Sequence, residues 1–172
     1  MSSPLTDLVD ILRLRKGPQD LPSSWAFTVF LLAIYLGLGI FSGQTLGDES
    51  PASTSLALAA LQFMAVAVML YIRKFSERLP QTLSALAGAG IILGMISFAF
   101  LVQADPAQQQ PILALAWFTV FFWSLVVDGH IYRHALSITL QQGILVAVLL
   151  LAASYLMVEF VISPPAAGNQ GL

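Results

Sequence analysis

The chain has 172 residues, with seven Lys and Arg, nine Asp and Glu, two His and no Cys. Only 9% of it is charged while 58% is hydrophobic, against about a quarter charged in an ordinary soluble domain, so water is not the solvent for most of its surface. A formal charge of -2 offers no basic face for nucleic acid, and the missing cysteine removes disulfides, thiolate catalysis and cysteine-held zinc or iron–sulfur centres.

Residues 1–23 read as a cytoplasmic interfacial segment. Ser3 is placed to cap a helix, Pro4 suits its first position, and Leu5, Leu8, Val9 and Leu12 recur on one stripe, which predicts a short amphipathic helix lying on the membrane. Arg13, Arg15 and Lys16 would then face anionic headgroups, and Gly17, Pro18 and Pro22 break the helix. The basic cluster precedes a full-length apolar stretch without a small-residue cleavage site, so the first span reads as an uncleaved anchor rather than a secretory signal.

Five apolar stretches follow, at 24–42, 54–72, 82–102, 112–127 and 135–162. Each is close to the roughly 20 residues that a hydrocarbon core of about 30 Å asks of a helix. Between them lie a turn-rich acidic connector (43–53), a basic one (73–81), a polar one without a cation (103–111) and a short one carrying Arg133 (128–134). All seven cations fall in the N-terminal segment or in the second and fourth connectors. By the enrichment of Lys and Arg in cytoplasmic loops, this predicts a cytoplasmic N-terminus and an external C-terminus. Fusing the last two stretches would bury Asp128, His130, Arg133 and His134 in lipid, at about 2.5–3.5 kcal/mol per charge, so five spans are expected. The fold class is an all-α membrane protein, a bundle of five transmembrane helices, with residues 163–172 a flexible external tail.

Few residues promise chemistry. Asp128, His130, Arg133 and His134 gather at the inner boundary of the last two spans; His130 and His134 stand four apart, but without the intervening Glu of a zincin helix they read as a structural loop and not a metal site. Glu159 is the acidic residue farthest inside a span and sits near its outer end, while Gln62, Gln141 and Gln142 suit interhelical hydrogen bonds. Gly39 and Gly43, Ala85 and Ala89, and Gly90 and Gly94 stand four apart, the spacing that lets helices approach closely. Trp117, Phe118, Phe121, Phe122 and Trp123 give the fourth span an aromatic surface, with Trp25 and Trp123 suited to the cytoplasmic boundary. No phosphate loop, catalytic triad order, HExxH run or nucleotide-binding glycine loop occurs.

The plan of five spans, and the stretch Trp123-Ser-Leu-Val-Val-Asp-Gly-His-Ile-Tyr-Arg-His-Ala-Leu-Ser137, where an aromatic span ends near Trp and a short Gly-containing turn leads into the last span, resemble the Yip1 family of small membrane proteins. The resemblance implies a non-enzymatic membrane factor working through partner proteins or lipids, and the short N-terminal region implies a bacterial membrane. The expectation is an accessory or scaffold subunit of the bacterial inner membrane, not an enzyme and without cofactor or metal. Its partners would be membrane lipids and other membrane proteins or itself as a homo-oligomer, not nucleic acid. The alternatives are a small transporter or channel using Glu159 with Gln141 and Gln142, or a lipid-handling protein using the Asp128 to His134 cluster.

Overall fold

The computed structural model of the chain describes residues 3–104 and 108–162; the tail expected at 163–172 lies outside them. Among the described residues the order is α1 (Pro4–Leu12), α2 (Trp25–Thr45), α3 (Pro51–Ile72), α4 (Leu79–Gln103), α5 (Pro111–Leu136) and α6 (Leu140–Met157), the last continued by a wide π-type turn at Val158–Ile162. There are no strands, and α2 to α6 are each long and apolar enough to cross a membrane. Local chemistry sets the starts. Ser3 Oγ accepts from the Thr6 N–H, Ser24 Oγ from the Phe27 N–H, and Thr139 Oγ1 from the Gln142 N–H while Gln142 reciprocates to the Thr139 N–H. Prolines at the head of α3, α4 and α5 lack the N–H that a first turn leaves unpaired.

The fourth long helix runs nine residues past Val127, through the stretch expected to be a loop. It stops only at Ser137, which takes the left-handed conformation at φ 53° while its successor Ile138 donates back to the Arg133 carbonyl at 3.1 Å. The last long helix accordingly begins at Leu140 rather than Ala135. His130, which seemed to require a loop, is accommodated inside a helix because the N-terminal segment covers it, while Arg133 stays exposed near the basic end.

Cation-bearing connectors meet at one end of the bundle, called the basic end below. Arg78, ahead of α4, donates to the carbonyls of His134 and Ala135 at 3.3 Å and to Ser137 Oγ at 3.0 Å. Gln81 donates to the carbonyls of Gln19 and Leu21 at 3.2 and 2.9 Å. Most of the buried core lies in this half, including Leu8, Ile11, Leu70, Leu83, Leu86, Val127 and Ile131.

Small residues let the backbones close there. Residues 82–89 of α4 are buried without interruption, enclosed by α1, α2 and α5, and Ala85, Ala87, Gly88 and Ala89 keep that helix thin. Thr28 Oγ1 of α2 lies 3.0 Å from the Pro80 carbonyl and 2.9 Å from Ser84 Oγ, a buried polar tie between α2 and α4. Where α5 and α6 cross, a β-carbon on Gly143 would collide with the Gly129 carbonyl oxygen, and one on Gly129 would come within 2.8 Å of the Ile144 nitrogen.

Since the colliding atoms are backbone, Gly143→Val should destabilise the bundle by about 1–3 kcal/mol, the usual cost of overpacking. Gly37, with nothing near its missing β-carbon, should tolerate Ala. Thermal melting of the two purified variants in one detergent checks the contrast.

Candidate functional site

The polar residues of the Asp128–His134 stretch do not form one cluster, because successive helical residues point about 100° apart. His130 is 5% exposed and its Nε2 lies 2.9 Å from the Lys16 carbonyl oxygen, with the His134 ring edge-on at 4.6 Å. Arg133 is exposed on another face, where it lines a depression with Arg73, Gln141 and Gln142. Tyr132 is 1% exposed. Among the described residues no three His, Asp or Glu side chains come together as metal ligands. Glu159 is exposed in the π-type turn, and Gln141 and Gln142 lie in the first turn of α6. Some 17 helical residues separate them, about 26 Å of rise, so the structure does not join these three residues into a path.

Asp128 stands apart from the rest. It lies eight residues before the end of α5, about 12 Å up the helix from the basic end, and not at the boundary where the sequence placed it. It is half-buried, lines a cavity of about 480 Å³ and acts electrostatically on Tyr35 and Tyr132. No hydrogen bond or ion pair reaches its carboxylate among the described residues. The cavity runs between α2, α3, α4 and α5, with Leu46 and Asp48 of the α2–α3 connection and Thr54 of α3 at its mouth and Tyr35, Gly90, Ser124 and Asp128 at its inner limit. No residue of the basic-end connectors lines it; its lining runs from the α2–α3 connection inward to Asp128. Ser124 stands one turn from Asp128 on the same helix face, its hydroxyl donating to the Phe121 carbonyl at 2.7 Å and its oxygen lone pairs free to accept. Gly90 is needed here: a β-carbon there would come within 2.6 Å of the Tyr35 ring.

The N-terminal segment covers the bundle at the basic end. The α1 helix packs on α4 and α5, burying Leu8 at 3%, Ile11 at 0% and Asp7 at 4% while Leu5 stays 72% exposed. The face turned to the protein is thus Asp7–Leu8–Ile11, and only part of the stripe read from the sequence is left for lipid. Gly88 makes this seat, since a β-carbon there would be 2.5 Å from Leu8. Lys16 Nζ reaches Asp7 at 2.6 Å and Asp10 at 3.6 Å, and Trp123 Nε1 donates to the Leu12 carbonyl at 3.1 Å. Trp123 therefore fastens this segment as well as facing outward. The hydrogen bond with Asp7 raises the Lys16 ammonium above its ordinary pKa of 10.5, against opposing desolvation.

Tyr35, Ser97 and Ser124 were not singled out by sequence reading. The signal that finds them is the one-turn spacing of Ser124 and Asp128 together with polar residues recurring at matching depth in neighbouring spans. Compared with family models, curated proteins and solved structures, the chain matches none.

Because the folded-state pKa of Lys16 is raised, its contribution is fully present below pH 10.5 and is lost as pH rises above that value through the folded pKa. The N-terminal segment should therefore stay protease-resistant at neutral pH and loosen in strong alkali. Lys16→Met should loosen it at neutral pH without unfolding the five long helices, as read by limited proteolysis beside circular dichroism.

Proposed function

We propose that this chain is a non-enzymatic, five-span protein of the bacterial inner membrane, N-terminus cytoplasmic, that admits a small solute from the external side into the cavity ending at Asp128. The observation that carries this reading is the partnerless carboxylate at the inner limit of a 480 Å³ cavity. Cavities of about 300–1,000 Å³ suit small molecules. A carboxylate within a span is costly and marks an ion or substrate pathway by default. The gathering of the cation-bearing connectors at one end supports the orientation through the enrichment of Lys and Arg on the cytoplasmic side, which puts the cavity mouth outside.

This places the solute-handling alternative ahead of the accessory-subunit one, with Asp128 in the role that the sequence suggested for Glu159. The five-span plan is the part of the Yip1 resemblance that the reading keeps.

The cysteine-free sequence makes the test clean. Ser124→Cys should react with a membrane-impermeant thiol reagent added outside intact vesicles and not with reagent added inside. Asp128→Asn should leave the melting temperature of the purified protein within about 2 °C, since it removes no intramolecular bond. Absence of labelling at Ser124→Cys from either side, in a folded protein, overturns the proposal.

A further inference from the structure

We infer that the cavity solute is a small organic cation, an ammonium group on a compact apolar body; this rests on the proposed function above and names the ligand class of the same site. Charge comes first. The cavity is lined by two carboxylates, Asp128 at its inner limit and Asp48 at its mouth, and by no Lys, Arg or His. A ligand anion would meet one uncompensated negative charge after another, whereas a cation meets attraction at the mouth and a counter-charge at the floor. Asp128 has no internal cation to neutralise it, and within a low-dielectric span an ionised carboxylate without a partner is the costly state that a bound cation relieves.

The rest of the lining separates an organic cation from a bare metal ion. At the inner limit the side-chain oxygens are those of Asp128, Ser124 and Tyr35, with the Ser42, Thr54, Ser55 and Ser97 hydroxyls nearer the mouth, and the wall between is made of Leu58, Leu93, Phe98 and their apolar neighbours. A metal ion the size of calcium takes six to eight oxygen ligands at 2.3–2.6 Å; a cavity of about 480 Å³ walled by leucines leaves such an ion largely without them. An ammonium donates to Asp128, and its hydrocarbon body covers leucine and phenylalanine surface that water wets poorly. Tyr35, against Gly90 and edge-on to Phe63 at 5.8 Å, offers an aromatic wall beside the carboxylate, which favours the same charge sign.

The probes are benzyltrimethylammonium and phenethylammonium, with benzyl alcohol as a neutral partner and benzenesulfonate as an anionic one. Each is tested for protection of Ser124→Cys against the impermeant thiol reagent in vesicles holding the full chain. At least one cation should slow labelling in a saturable way, with an affinity at least about tenfold above that of benzyl alcohol, the scale of one charge-assisted hydrogen bond. Adding Asp128→Asn to that variant should abolish this preference, and Asp128→Glu should restore part of it. Free labelling with no protection by either cation, or equal protection by benzyl alcohol or benzenesulfonate, overturns the cation assignment while leaving a solute-accessible cavity. Failure of Ser124→Cys to label at all overturns the underlying function instead.

Discussion

The close approach of helix backbones at the basic end is the constraint on which the rest of the molecule depends. Between apolar helices in lipid there is no hydrophobic drive to associate, so close contact and internal polar ties must hold them. Gly143 lying on the Gly129 carbonyl, the thin face of α4 from Ser84 to Ala89, and Thr28 between Pro80 and Ser84 supply both. Nearer the opposite end Gly39, Gly43, Gly90 and Gly94 leave side-chain space unfilled, and a cavity persists between α2, α3, α4 and α5.

Seen this way, Asp128 sits where dense packing gives way to open space. The residues on either side of it, Val127 and Gly129, are buried in the tight half, whereas its own side chain turns into the cavity. Rigid surroundings suit a functional carboxylate, because groups that must meet a ligand gain most when packing fixes them in advance.

The five long helices were legible in the sequence because an apolar run of about 20 residues has few soluble explanations, and because Ser3, Ser24 and the helix-opening prolines mark starts by local chemistry alone. The end of α5 was not legible. His130 looked like a loop residue because its partner, the Lys16 carbonyl, lies 114 positions away in the chain, and Gly129 looked like a turn residue because Gly143 approaches it only in the fold. For the same reason Asp128 seemed to stand at the membrane boundary: its depth follows from how far α5 continues. Leu8 and Ile11 facing α4, rather than Leu5 and Val9, depend on the room left by Gly88, which no periodicity within α1 reveals.

The bond between Trp123 and the Leu12 carbonyl joins residues 111 positions apart, and this distance orders events during synthesis. The α1 segment leaves the ribosome before α4 and α5, yet the surface that receives it exists only once α4 and most of α5 have been made. Through the making of α2, α3 and α4 the segment has no seat, and Leu8 and Ile11 must be sheltered by lipid or by a chaperone. Contacts of long sequence separation form late, so α1 takes its final place after helices made later than itself, and a chain halted before α5 would carry α1 without the partner that Trp123 supplies.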